Sequence, residues 1–406
     1  MTTATFYGTL TDPTGGVVAG ATVSLENVGT GAVSTKVTDA TGDFVFEFLR
    51  VGIYRIQVKA AGFKGLQSGS FELQAGQSMR RTFQLELGQV NETVSVEGTA
   101  PLVNSISSEQ QNSVSTTESS QLPLSRRNVS GLLSLGTGAS PGGGYVRLNG
   151  TGKTGTLFSV DGTSASSDPE SRTSSMRGNF DYINLVSLEA VQEVATTKGI
   201  MPAEYGQVLS GNVNIITKSG TNHWHGSAFE DLQSDNLNSP LQFLATKPNA
   251  VFNQFGGSIG GPIIHDRLFI FGDYEGYRQS VTQVVSGSVP TPDFRQLLLS
   301  TVPAYSKALE GVPLPNQPFA AGADTGLYIF GRSQTAHDDH FDVKSDLHLT
   351  DTSNLSLTYS HGRPGLLTPR IYSNDDQVYH GYLERGTASY ITGGPAWSSK
   401  RTSDSA

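Results

Sequence analysis

The segment "HFDVKSDLHL", residues 340–349, alternates residue by residue, and this alternation limits what the chain can fold into more than any other feature it has. Phe341, Val343, Leu347 and Leu349 share one face with Ser345, while His340, Asp342, Lys344, Asp346 and His348 line the other. An extended strand, whose successive side chains point to opposite faces, sorts residues in this way, and a helix does not. In "NLSLTYS" Leu355, Leu357 and Tyr359 oppose Asn354, Ser356, Thr358 and Ser360, and in "RLFIFGDYEGY" Leu268, Ile270 and Tyr274 oppose Asp273 and Glu275. A sheet with one apolar and one heavily polar face fits a soluble sandwich, or a barrel with lipid outside and water inside. The period does not choose between them.

Composition points the same way. Gly is in excess at 47 of 406 residues, and 16% of residues are charged, against roughly 25% in an average soluble domain. Such a chain suits many short strands and turns over long helices. Its length fits roughly two to four domains. The net charge of −9 at pH 7, with no cluster of Lys and Arg, argues against nucleic acid, whose phosphates need such clusters. With no cysteine, neither a disulfide framework nor a thiolate metal site can form. No run reaches the ~18 apolar residues that a membrane helix requires. The start, "MTTATFYGTL", lacks a basic segment followed by an apolar one, so no signal peptide is visible. The expectation is a cytoplasmic chain or one whose true N-terminus is missing.

Three regions follow from the patterning. Residues 5–88 read as a small β-sandwich: Phe44, Phe46 and Phe48 fall on one face, as do Tyr54, Ile56 and Val58, and then Phe83, Leu85 and Leu87. Turn signals at "DPTGG" and "DATGD" separate the strands. Residues 119–222 mix a short helix over "SRRNVSGLLSLG", where Val129, Leu132 and Leu133 stand at i, i+3 and i+4, with strands at "YVRLNG", "TLFSVDG" and "GNVNIITK", giving a small α+β domain. Beyond Asn222 strand-length segments alternate with polar loops.

The first region, with "GTLTDPTGGVVAGATVSL" and "TDATGDFVFEFLRVGIYRIQVKAAGF", resembles the carboxypeptidase regulatory-like family. Such modules accompany many proteins, so the resemblance implies a fold and not an activity. Residues 187–230, "SLEAVQEVATTKGIMPAEYGQVLSGNVNIITKSGTNHWHGSAFE", resemble the end of the plug domain and the first barrel strand of TonB-dependent outer-membrane receptors, in particular the Oar-like subgroup. "FNQFGGSIGGPIIHDRLFIFGDYEG" at 252–276 and "VPTPDFR" at 289–295 continue the resemblance in order. It implies a mainly β chain: a regulatory-like β-sandwich over 1–88, a linker over 89–118, a small α+β plug domain over 119–222, and over 223–406 the first strands of an incomplete outer-membrane β-barrel.

The resemblance also implies partners and sites. Receptors of this family carry a short extended peptide, the TonB box, ahead of the plug. "ETVSV", Glu92, Thr93, Val94, Ser95 and Val96, looks like one, standing as a strand-former in a polar linker where the periplasmic protein TonB could add a strand to it. The same residues could instead be the last strand of the sandwich. "SVDGTSASSDPESR", residues 159–172, resembles the plug segment before an apical loop, which makes Ser167, Asp168, Glu170 and Arg172 candidates for meeting substrate; a solvated turn would look the same. The remaining partners implied are outer-membrane lipid and an unidentified small-molecule, glycan or peptide substrate, with no cofactor, in the outer membrane of a Gram-negative bacterium.

Other motifs carry less. "NGTGKTG" lacks the Gly a phosphate loop needs at position 147, which is Arg147, and a strand follows where a helix is required. "GASPG" has nucleophile-elbow spacing, yet Pro141 after Ser140 lacks the N–H that would stabilise an oxyanion. "HDDHFD" and "HWH" could supply metal ligands, but His340, Asp342 and His348 share their strand face with Lys344 and Asp346, as in a wetted lumen. "FVFEF" and "IYRI" read as core rather than as an aromatic platform for a ligand. From 222 to 406 there is room for six to eight strands of ~10 residues, too few to close a 22-stranded barrel, and the chain ends at "SSKRTSDSA" without a terminal aromatic strand. A receptor fragment is therefore the expectation. The reading is a non-enzymatic TonB-dependent transporter or receptor; the alternative is a secreted or surface β-protein that binds carbohydrate through its sandwich.

Overall fold

The computed structural model describes residues 2–88, 93–96, 110–115, 132–133, 136–142, 145–150, 156–164, 186–199, 211–237, 249–350, 353–362, 365–368, 382–385 and 388–397. Strands dominate them, in three successive units.

The first unit is the sandwich. Strands β1 (Thr3–Thr11), β2 (Thr22–Asn27), β3 (Val33–Val37), β4 (Asp43–Arg50), β5 (Gly52–Lys59), β6 (Gly65–Ser68), β7 (Phe71–Leu73), β8 (Ser78–Gln84) and β9 (Thr93–Val96) build two sheets. One is ordered β4-β1-β8, the other β3-β2-β5-β6-β9 with β7 against β5. The alternating apolar residues meet between them. Phe6, Leu10, Val23, Leu25, Phe44, Phe46, Tyr54, Ile56, Val58, Phe83 and Leu85 share one core, with the Phe6 ring 5.2 Å from that of Phe71 and 6.2 Å from that of Phe44.

Two residues expected on that face are not there. Phe48 is 65% exposed with φ +56°. A register shift between Ala4 and Phe6 puts an extra residue into β4, so the alternation slips and Leu49 turns inward instead. Leu87 is 67% exposed because β8 ends at Gln84 and leaves it in a single bridge to Phe63. The four residues of β9 are not free-standing either. They run parallel to β6, Thr93 to Val96 opposite Gly65 to Ser68, covering backbone groups that a sheet edge would otherwise leave unpaired.

The second unit holds β10 (Gln110–Ser115), β11 (Ala139–Gly142), β12 (Tyr145–Leu148), β13 (Thr156–Val160), β14 (Thr163–Ser164), a single 3-10 turn at Leu188–Ala190, β15 (Val191–Lys198) and β16 (Gly211–Thr217). Its five-stranded sheet runs β10-β15-β16-β13-β14, with β13 parallel to β16 and the other pairs antiparallel. Leu148, Phe158, Val160, Val194, Val213 and Ile215 form its core with Leu132 and Leu133. Of the described residues of the expected helix, these two are helical and Gly136, at its end, lies in a bend.

The third unit is one antiparallel sheet. Its elements are β17 (His225–Ser234), β18 (Ala250–Ile264), β19 (Leu268–Pro290), helices α1 (Pro292–Thr301) and α2 (Tyr305–Leu309), β20 (Thr325–Thr350), β21 (Ser353–Gly362), β22 (Gly365–Thr368), β23 (Tyr382–Arg385) and β24 (Ala388–Trp397). The order is β17-β18-β19-β20-β21-β24, with β22 between β20 and β23. β19 and β20, at 23 and 26 residues, far exceed the expected strand length. A span of lipid takes about 9–11 residues, so this hairpin continues well beyond the hydrocarbon.

Side-chain burial resolves what periodicity left open. On β20, Asp338, His340, Asp342, Lys344 and Asp346 are each at most 7% exposed, whereas Phe341, Val343 and Leu349 are 36%, 40% and 50% exposed. On β21, Thr358 and Ser360 are buried while Leu355 and Leu357 face out. A soluble sandwich would bury the opposite face. Apolar outside and polar inside is the arrangement of a barrel wall with lipid around it.

Candidate functional site

The described part of the second unit sits on the polar face of this wall, and the contact is built from particular side chains. The first anchor is the turn before β15. Ser187 Oγ donates to Glu275 Oε2 at 2.9 Å and the Ser187 amide to Asp342 Oδ2 at 3.1 Å, while Gln254 Nε2 donates to the second oxygen of Glu275 at 2.8 Å. Two residues on, Glu189 accepts from Ser227 Oγ, from Ser258 Oγ at 3.2 Å and from Lys218 Nζ at 3.2 Å. Burial pushes the Glu189 carboxyl upward, but the Ser227 hydrogen bond and the Lys218 ammonium outweigh it and leave the group below its ordinary range.

The second anchor lies on the hairpin of β13 and β14. Asp161 and Gly162 both have positive φ, at +48° and +80°, between Val160 and its partner Thr163. This is the primed two-residue turn that an Asp-Gly pair favours. The turn presents Asp161 to Thr217 of its own sheet, whose amide and hydroxyl donate at 3.0 and 2.6 Å. From the wall, Lys344 Nζ approaches at 3.3 Å and Thr358 Oγ1 donates at 2.9 Å. Lys344 also donates to the Thr217 carbonyl at 3.1 Å. Phe271 of β19, buried like Phe269 on the same face, is an apolar contact that reaches from the wall into the core of the second unit.

A third set of contacts joins the sandwich to one end of both other units. Arg50 at the end of β4 donates to Asp346 Oδ1 at 2.8 Å and to Ser356 Oγ at 2.7 Å. The Ala75 amide donates to both carboxylate oxygens of Glu193 at 3.2 Å, where Ser113 Oγ also donates. Ala75 and Val51 pack on Ala195 and Ile216. Burial raises the Glu193 carboxyl above its ordinary value, against the lowering effect of the Ser113 and Ala75 hydrogen bonds.

Asn222 closes the far side. Its amide donates to the Gly29 carbonyl at 2.9 Å and its side chain to Thr30 O at 2.9 Å. The side-chain oxygen accepts from the Asp266 amide, in the short turn between β18 and β19. Gly31, at φ +71°, lies so close that a Cβ there would stand 2.6 Å from Asp266 Oδ1. Barrels of this kind keep short turns at the periplasmic end and long connections outside, and the connection between β19 and β20 runs over residues 291–324. The sandwich is thus docked at the end of the wall that carries the short turns, the end that lies at the periplasmic mouth in such barrels.

The sequence-derived candidates fare unevenly. Thr93, Val94, Ser95 and Val96 form β9, and Glu92 lies outside the described residues. So do Ser167, Asp168, Glu170 and Arg172. Asp161, from the same acidic stretch, is described and faces the wall rather than a substrate. Ser187, Glu189, Glu193 and Arg50 were not singled out by sequence reading; only the Asp-Gly turn and the polar stripe of β20 carried a visible signal. No group of three or more His, Cys, Asp or Glu suited to a metal ion occurs among the described residues.

Comparison with known proteins gives consistent results. Residues 5–86 match the carboxypeptidase regulatory-like domain, and residues 216–398 match the outer membrane beta barrel domain. The TonB-dependent transporter Oar of Myxococcus xanthus is 26% identical over 257 residues, covering 59% of this chain and 23% of the relative. A second relative, the "Probable TonB-dependent siderophore receptor PirA" of Acinetobacter baumannii, is 30% identical over 148 residues, covering 34% of this chain and 18% of the relative. The chain therefore spans about a fifth of the length of these curated relatives. Among solved structures, the ferric enterobactin receptor of Pseudomonas aeruginosa matches at 16% identity and a TM-score of 0.45, over 71% of this chain and 38% of that one.

Proposed function

We propose, for a chain that is a homologue of the TonB-dependent transporter Oar and carries a carboxypeptidase regulatory-like domain ahead of an outer membrane beta-barrel domain, that it takes part in TonB-driven passage of a ligand across the outer membrane. Its barrel domain places it in the outer membrane of a Gram-negative cell. The second unit is the plug. The observation that carries this reading is the kind of contact that holds it. Ser187, Glu189 and Asp161 meet Glu275, Asp342, Ser227, Ser258, Lys344 and Thr358 through hydrogen bonds and ion pairs. Such polar contacts exchange for water when a unit is drawn out of a wet lumen, whereas a continuous apolar core would not.

Glu92, Thr93, Val94, Ser95 and Val96 are the segment TonB takes, by adding its own strand to an extended backbone. Ser167, Asp168, Glu170 and Arg172 belong to the plug loop that meets the ligand, whose class remains a small molecule, a glycan or a peptide. One relative is named for siderophores, and nothing in this chain's described residues carries that chemistry over. The boundaries 1–88, 119–222 and 223–406 serve as sandwich, plug and barrel wall, and the linker 89–118 lends β9 to the sandwich edge and β10 to the sheet of the plug. A peptide of residues 88–104, titrated with the C-terminal domain of TonB from the same organism, tests the assignment. It binds, Val94→Thr changes little, and Val94→Pro, which removes an N–H and restrains φ, abolishes binding. Absence of binding, or tolerance of Pro at 94, refutes it.

A further inference from the structure

We infer that the regulatory-like sandwich withholds the TonB-binding strand by keeping β9 on its own sheet edge, so that TonB and β6 compete for one segment; this rests on the assignment of residues 92–96 made above. Strand addition works on an unpaired backbone. Thr93 to Val96 are paired, in register with Gly65 to Ser68. β6 itself is firmly built in: Leu66 and Ser68 are buried, and Ser68 Oγ accepts from the Ile56 amide at 3.0 Å on the neighbouring strand. When β9 leaves, β6 stays.

The outer edge of β9 is no substitute site. A strand offers each neighbour only every second residue's N–H and C=O, so half of a four-residue strand faces outward. A ladder long enough to bear tension needs the whole segment, and hence its release. The β6–β9 ladder is suited to release, being short, parallel and at a sheet edge, and parallel pairing is the less stable kind per residue.

The same sandwich is docked on the periplasmic mouth through Arg50, Ala75 and the Gly29–Gly31 turn. Its own fold therefore ties together two things that must both change before the plug moves: exposure of the strand and opening of the mouth.

The experiment uses the whole chain, which has no cysteine of its own. Gln67 and Ser95 are register partners on β6 and β9, and facing strand positions lie within the Cα separation that a disulfide bridges. The double variant Gln67→Cys with Ser95→Cys is oxidised, and its binding to the TonB C-terminal domain is compared with the reduced form and with the free 88–104 peptide. The inference expects the disulfide to form, binding to weaken at least about tenfold on oxidation and to recover on reduction, and the free peptide to bind more tightly than the intact chain, whose competent state is only fractionally populated. Failure of the disulfide to form overturns it, and so does oxidised chain that binds as well as reduced chain. The peptide arm reads the underlying assignment separately: a peptide that does not bind removes TonB from residues 92–96 whatever the disulfide shows.

Discussion

Replacing Arg50 by Ala should undock the sandwich without unfolding it. Arg50 makes two charge-assisted hydrogen bonds across the dock, to Asp346 at 2.8 Å and Ser356 at 2.7 Å, and its side chain is 32% exposed while that of Asp346 is 2% exposed. A hydrogen bond to a charged group contributes about 1.5 to 3 kcal/mol. Because Arg50 keeps nearly a third of its surface in water, the low end applies, and a loss of about 1.5 kcal/mol corresponds to roughly a tenfold rise in the undocked population. Two amides report this directly, since Ala75 N–H donates to Glu193 and Asn222 N–H to Gly29, both across the dock. Hydrogen exchange at these two amides should accelerate about tenfold in the variant, by local opening alone. Amides of β2 and β5, paired inside the sandwich, should keep their protection. Unchanged exchange at Ala75 and Asn222 would refute the dock, and a parallel loss of protection in β2 and β5 would show that the substitution unfolds the domain instead.

Three further outcomes follow from the same structure. In the isolated segment 1–88, expected to melt cooperatively with β-type circular dichroism, Phe46→Ala should cost about 3 to 5 kcal/mol and Phe48→Ala within about 0.5 kcal/mol, because the bulge in β4 buries the first ring and exposes the second; equal losses in thermal melts would remove the bulge. Glu193, raised above 4.5 by burial at the dock, binds its proton more tightly when docked. Its contribution to docking is therefore present at low pH and is lost as pH rises through the raised value, so protection at Ala75, taken relative to the intrinsic exchange rate of an unstructured amide at each pH, should fall from about pH 4.5 upward, and this loss of protection should vanish in Glu193→Gln. Lys344→Met leaves Asp161 facing the wall without its cation; for this partly buried pair, whose carboxylate keeps its Thr217 and Thr358 donors, the cost is about 3 kcal/mol at most, exchange at the Thr217 amide should rise, and an unchanged rate would place the second unit's anchor elsewhere.

Much of the architecture was legible because it is a matter of local pattern. The period of two in "HFDVKSDLHL" and "NLSLTYS" made strands unavoidable, and the rings at Phe44, Phe46, Tyr54 and Phe83 marked a core before any partner was known. The Asp161-Gly162 pair has the composition of a primed turn, and the positive φ at both residues shows that it forms one. The choice between sandwich and barrel was not there to be read. Alternation states that two faces differ and is silent on which of them meets protein, and only the seating of the second unit, which buries Asp342, Lys344 and Asp346 and leaves Phe341 and Val343 outside, decided it. Phe48 and Leu87 failed for a related reason: a bulge or a strand end flips every later position, and both depend on the partner strand. The anchors at Ser187, Glu275 and Arg50 lie in segments far apart along the chain and have no local signature, since a serine or an arginine becomes a latch only when another segment places an acceptor within 3 Å of it. Likewise β9 has the same extended residues free or paired. Sequence determined that it would be a strand, and the open edge of β6 determined whose.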